Sequence, residues 1–177
     1  MPSAGRWAPN CATRWRGSSL RDLGQPRLEA PLAAVRELIA QLRPGALEDY
    51  GLLAALRTFA ARFERRTGIA LAVIGADDAP EITPRLETAL FQIARDALDN
   101  VARHSRAHSA AVELGIGGGT VRLSIRDDGA GFDPQSAGAR EGWGLTLMRE
   151  RAAAIGAQLR VESAPGGGTR VSVRVRG

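Results

Sequence analysis

Two runs of three glycines, Gly117-Gly118-Gly119 and Gly166-Gly167-Gly168, constrain this chain more than any other feature. Each lies between two stretches that read as strands, so each predicts a tight reversal and an antiparallel hairpin. In the first hairpin Val121, Leu123 and Ile125 alternate with Arg122, Ser124 and Arg126, a period of two that buries one face. After the second reversal Thr169, Val171, Val173 and Val175 repeat the alternation. Strands are therefore expected at about 109–116, 120–127, 158–163 and 169–175, with a short apolar strand at 69–74.

Between these strands the period changes to that of a helix. Leu52, Leu56, Phe59 and Phe63 share one face of a helix that ends at Gly68. Leu86, Leu90, Ile93, Ala97 and Val101 form the stripe of another, with Thr83 placed as its N-cap and Pro84 at the first helical position. A further helix is expected over 144–155, after a glycine-rich loop at 129–142. Upstream, Leu28, Leu32, Val35, Ile39 and Leu42 recur at steps of four and three, a stripe fit for a helical partner, which Pro44-Gly45 stops. Residues 1–26 show neither period and read as a disordered or foreign tail. The mixture predicts an α+β fold, a two-layer α/β sandwich in which a mixed sheet is covered on one face by helices.

Composition closes several routes. The 177 residues include 24 basic ones, and every one is Arg. Without Lys there is no P-loop, whose Lys must reach the phosphates. Residues 1–27 hold five Arg against Asp22, a net +4, while the remainder is nearly balanced at +1. The basic charge thus belongs largely to the tail, and nucleic acid is not expected as a partner. One cysteine, Cys11, precludes an internal disulfide and fits a reducing, cytoplasmic setting. No apolar run is long enough to span a bilayer and none reads as a signal peptide. Two histidines, His104 and His108, do not make the usual three-ligand zinc centre.

Four places carry candidate chemistry. Asp96, Asn100 and His104 are spaced four apart, along one helix face opposite the apolar stripe, with Arg103 beside them. A carboxylate one turn from an amide can orient water and offer oxygen to Mg²⁺; a solvated helix face explains the same spacing. Asp127 falls in phase with the buried side of its strand, where a carboxylate must find donors, and Gly129 and Gly131 follow where backbone could approach a ligand. A turn-initiating Asp is the alternative. Gly142, Gly144 and Leu145 open a helix whose free N–H groups suit an anion. Thr169 points its hydroxyl inward near the sheet's end, or simply satisfies its strand propensity.

Taken in order, ALFQIARDALDNVARHSRA (89–107), IRDDGAGFDP (125–134), GWGLTLMRERAAAIGAQLRVES (142–163) and GGGTRVSVRV (166–175) resemble the nucleotide-binding boxes of the GHKL superfamily. That superfamily has the Bergerat-type ATP-binding fold and includes gyrase, chaperone and histidine-kinase ATP-binding domains. Within it the chain is similar to sensor histidine kinases that partner LuxR-type response regulators. LRPGALEDYGLLAALRTFAARFERRTGI (42–69) is similar to their junction between dimerisation helix and catalytic domain. The resemblance implies ATP and Mg²⁺ as cofactors. Asn100 would hold the metal, Asp127 would accept from the adenine amino group, and Gly129 and Gly131 would line the adenine pocket. Thr169 would contact adenine through water. Gly142 and Gly144 would let the lid fold, with Leu145 beside them, and Arg103 and His104 would face phosphate.

The resemblance also implies a layout: residues 27–44 as a remnant of the second dimerisation helix and 45–177 as the catalytic domain. The family usually has Glu where Asp96 stands, the residue expected to orient the water. Its acceptor histidine lies on a dimerisation helix that would precede residue 28, and neither His104 nor His108 matches it. The expected function is transfer of the ATP γ-phosphoryl to a histidine on another polypeptide. An anti-sigma-type serine kinase and a non-enzymatic fragment that pairs with an intact kinase are the alternatives.

Overall fold

The computed structural model describes residues 45–77, 80, 82–133 and 143–176. The tail at 1–26, the helix expected at 28–42 and Gly142 lie outside the described residues. The elements run α1 (Gly45–Thr67), β1 (Ala70–Gly75), α2 (Pro84–Asn100), a π-helical turn (Val101–Ser105), β2 (Ser109–Gly117), β3 (Thr120–Asp127), α3 (Trp143–Ala154), β4 (Gln158–Ser163) and β5 (Thr169–Arg176).

The apolar face of α1 is buried as its spacing requires, with Leu52, Leu56 and Phe63 at 3%, 2% and 1% exposure. The helix is nevertheless broken at Gly51, whose φ of 77° and ψ of 179° are not helical. A restarting helix exposes unsatisfied N–H groups. Here the Leu52 N–H donates to the Glu87 carboxylate on α2 at 3.2 Å, a cap supplied from a distant element. At its other end Gly68, with φ of 74°, donates to the Glu64 carbonyl at 2.8 Å, the usual left-handed helix stop. The Glu64 carboxylate then accepts from the Leu71 N–H at 2.7 Å and ties β1 to the helix.

The whole expected stripe is buried, Leu86, Leu90, Ile93 and Ala97 in α2 and Val101 at the start of the π turn. Thr83 occupies the N-cap position with extended backbone, but its hydroxyl makes no cap hydrogen bond. Its carbonyl, instead, accepts from the Leu86 and Glu87 N–H groups at 2.8 and 3.0 Å. Phe91 meets Phe59 of α1 edge-on, with centroids 6.0 Å apart, a favoured aromatic geometry.

The five strands are ordered β1-β2-β3-β5-β4. β1 and β2 are parallel, joined through α2, and the remaining pairs are antiparallel. Register places Leu123 opposite Val173, Ile125 opposite Val171 and Asp127 opposite Thr169. The inward side chains of the sheet form one core with Leu90, Ile93 and Leu98 of α2, Phe63 of α1, and Met148 and Ala152 of α3. All three helices thus contribute to one core against one sheet face, while Arg122, Arg126, Arg170 and Arg174 point away, exposed. This is the two-layer α+β sandwich expected from the alternation.

Candidate functional site

The site lies where β3 ends and β5 begins, beside the C-terminus of α2. Asp127 continues the inward phase of Val121, Leu123 and Ile125 and is 6% exposed. One carboxylate oxygen accepts from the Gly129 N–H at 2.8 Å, and a backbone hydrogen bond from Thr169 also reaches it. Burial nonetheless dominates and pushes the carboxyl above its ordinary value of 3.8, with the Asp128 charge adding to the rise. Among the described residues no cation pairs with Asp127. A buried carboxylate held in this way is costly, and it presents an acceptor to any donor that enters the pocket.

The neighbouring Asp128 behaves oppositely. It accepts from the Ser109 N–H at 3.0 Å, the Ser109 hydroxyl at 2.8 Å and the His108 N–H at 2.9 Å. Those Ser109 bonds hold its carboxyl below 3.8. Stability from Asp128 is therefore present above that value and fades as pH falls through the lower folded value. It fastens the loop after the π turn to the end of β3.

The glycines of this loop are set by close approach. A Cβ on Gly129 would lie 2.4 Å from the Ser105 carbonyl oxygen, and one on Gly131, whose φ is 58°, would lie 2.0 Å from the Ala164 carbonyl oxygen. Ser105 and Ser163, which no sequence pattern singles out, stitch the loop in place. The Ser105 carbonyl accepts from the Ala130 N–H at 2.7 Å, and its buried hydroxyl donates to the Val101 carbonyl at 2.7 Å. The Ser163 hydroxyl accepts from the Phe132 N–H at 2.9 Å, donates to the Gly168 carbonyl at 2.8 Å, and lies 3.0 Å from the Thr169 hydroxyl. Thr169 is thus at the site, opposite Asp127. Neither serine carries a local signal, because the partners that matter lie across the fold.

On α2 the polar residues separate. Asn100 is half-buried and faces Gly144 of α3: a Cβ there would come 3.1 Å from the Asn100 side-chain oxygen and 3.2 Å from its nitrogen. The absence of a side chain at 144 leaves the carboxamide open to a ligand at the start of α3. Leu145, next in line, packs against the core. Arg103 and His104 are exposed on the π turn, which interrupts the regular helical line expected from Asp96 through Asn100 to His104. Such turns occur often at functional sites.

Asp96 is not on a solvated face. Its side chain is 14% exposed, and its carboxylate is bound by Arg151 of α3, with the Arg95 guanidinium 3.6 Å away. Burial raises the carboxyl above 3.8, and the Arg151 and Arg95 charges oppose the rise without overcoming it. Removing Arg151 leaves the part-buried Asp96 charge with only the more distant Arg95 guanidinium. Arg151→Met is expected to cost about 2–3 kcal/mol in urea unfolding at neutral pH, less than a fully buried pair because Arg151 is 22% exposed. Adding Asp96→Asn should restore much of the loss, and equal losses in the single and double variants would show that the pair is not coupled.

Residues 85–177 match the family described as histidine kinase-, DNA gyrase B- and HSP90-like ATPase. The sensor histidine kinase MctS of Rhizobium johnstonii is 36% identical over 150 residues, 84% of this chain and 32% of MctS. The sensor histidine kinase LiaS of Bacillus subtilis is 38% identical over 141 residues, 80% of this chain and 38% of LiaS. The chain therefore spans about a third of the length of these curated relatives. The solved blue-light activated histidine kinase of Erythrobacter litoralis EL346 shares the fold, with a TM-score of 0.61 at 21% identity, covering 81% of this chain and 49% of that one. The buried Asp127 and the glycine loop after it lie within the matched stretch, and the chain belongs to the histidine kinase-, DNA gyrase B- and HSP90-like ATPase family.

Proposed function

We propose that this chain binds ATP with Mg²⁺ and delivers the γ-phosphoryl to a histidine on the dimerisation domain of a sensor kinase. The observation that carries the reading is Asp127, a buried carboxylate with backbone donors and no cationic partner among the described residues. An exocyclic amine on adenine supplies the missing donor. The similarity to MctS extends over 150 residues, more than the stretch 85–177 contains, so it reaches back into the α1 junction. That upstream reach supports a sensor kinase over the other branches of the family.

The donor set fits the cofactors. Mg²⁺ keeps several waters and takes one or two protein oxygens along with phosphates; the half-buried Asn100 oxygen, uncovered at Gly144, is such a ligand. The bound ion would neutralise phosphate charge. Thr169 and Ser163 would hold water beside the adenine ring, and Gly129 and Gly131 would bring backbone against it. Asp96, oriented by Arg151, would aim a water or the incoming nucleophile. Arg103 and His104, exposed at the end of α2, would face phosphate. Gly142 and Gly144 would let the segment before α3 close, with Leu145 anchoring it to the core. Catalysis on this reading is positioning and charge stabilisation rather than covalent chemistry. The natural setting is the cytoplasm, with a LuxR-type response regulator receiving the phosphoryl group. No helix among the described residues is long and apolar enough to cross a membrane.

Labelled ATP and a separately produced kinase dimerisation domain test the proposal. Label should appear on the acceptor histidine, and Asn100→Ala should reduce transfer by roughly a hundredfold or more, the scale of losing one charge-stabilising group. Tight ATP binding without any label on histidine would overturn the transfer step and leave only a nucleotide-binding module.

A further inference from the structure

We infer that the open face of the sheet binds a planar anionic phospholipid surface. Arg122 and Arg126 of β3, Arg170, Arg174 and Arg176 of β5 and Arg160 of β4 all point away from the core and are exposed. Register sets Arg122 directly opposite Arg174 and Arg126 directly opposite Arg170, with Ser124 and Ser172 between the two pairs. Like charges directly opposed across a strand pair are destabilising. Among the described residues the acids on this face are Glu113, Asp128 and Glu162; Asp128 is held by Ser109 and the His108 N–H, and Glu162 is taken by Arg160 at 3.0 Å. Among the described residues none of the other five arginines forms an ion pair. The overall charge of the domain conceals this, because most of its acids lie elsewhere, against six arginines here. Strand pairing has gathered uncompensated cations into one layer that works against its own stability.

The occupant follows from charge and shape. Guanidinium groups match phosphate oxygens two at a time. Between the arginines lie Ser124 and Ser172, and beside them on β2 Ala111 and Gly115, all small residues, so the backbone relief of the face is low. Duplex DNA is usually read by a helix or ribbon projecting into a groove, and single strands by stacking on aromatics. Among the described residues this face has no projecting element and no aromatic side chain. A bilayer surface is flat and carries phosphate at every headgroup. At the β1 edge of the same face Ile74 is 57% exposed and would reach the interfacial layer. Each arginine near an anionic membrane strengthens binding by about fivefold, so four together give roughly several hundredfold.

Co-sedimentation with phosphatidylcholine vesicles, with and without phosphatidylglycerol, tests this on the full chain. Binding is expected only with phosphatidylglycerol and should weaken with salt. The variant Arg122→Ser/Arg126→Ser/Arg170→Ser/Arg174→Ser should lose roughly several hundredfold in partitioning, while its thermal midpoint holds or rises because two like-charge pairs are gone. A second variant, with Arg6, Arg14, Arg16, Arg21 and Arg27 changed to Ser, separates the face from the basic tail and should still bind. Undiminished binding by the face variant, loss confined to the tail variant, or capture of duplex DNA with no vesicle binding would each overturn the inference.

Discussion

Asp127→Asn is expected to weaken ATP·Mg²⁺ binding by roughly a hundredfold, the scale of losing a charge-assisted hydrogen bond. The amide would also turn a donor toward the adenine amine, which has no lone pair to offer it. The nucleotide-free fold should survive. Asp127 has its carboxyl raised above 3.8 by burial. For a group raised in the folded state, protonation favours folding, so its contribution is present below 3.8 and is lost as pH rises through the higher folded value. At neutral pH the ionised carboxylate therefore works against stability. The uncharged amide of the variant escapes that cost, while its carbonyl oxygen can still accept the Gly129 N–H. Calorimetric titration and urea unfolding at pH 7 check both halves. Binding lost with stability equal or greater identifies a carboxylate kept for a ligand; a loss of more than about 2 kcal/mol, the scale of a broken buried hydrogen bond, would make Asp127 structural instead.

Gly168→Ala is expected to destabilise the domain by about 3 kcal/mol or more and to remove nucleotide binding with it. Gly168 has a φ of 70°, and a Cβ there would lie 2.1 Å from the Asp127 carbonyl oxygen. Neither atom belongs to a flexible side chain, so relief requires moving the end of β3 or the start of β5. Those two strand ends hold Asp127 opposite Thr169. Gly118→Ala provides the comparison: its φ is 56° and nothing lies within 4 Å of the added Cβ. That variant should cost only about 1 kcal/mol, the penalty of left-handed backbone alone. Equal losses in chemical unfolding of the two variants would show that the contact at 168 yields easily.

Much of the site is legible because its signals are periodic. Asp127 announces itself by falling in step with Val121, Leu123 and Ile125, and it is buried as that step demands. The stripe from Leu86 to Val101 is buried throughout for the same reason. Thr83 and Pro84 mark the start of α2 correctly, yet the hydroxyl of Thr83 is not its cap, because a side-chain rotamer answers to neighbours that spacing does not specify. The π turn at Val101–Ser105 breaks the expected alignment of His104 with Asn100. Ser105 and Ser163 escape any such pattern, since their bonds run to Ala130 and Phe132, distant in the chain or in another element.

What the sequence determined by itself was local: which residues alternate, where three glycines force a reversal, and which carboxylate falls on a buried side. Backbone period and burial are properties of one segment, so they can be read from one segment. Tertiary structure alone decided the pairings. It closed Arg151 on Asp96, placed Glu87 at the broken helix N-terminus at Leu52, set Gly144 against Asn100, and faced Arg126 with Arg170 across two strands. Each of these depends on register and packing between separate elements, where a shift of one residue would exchange every partner.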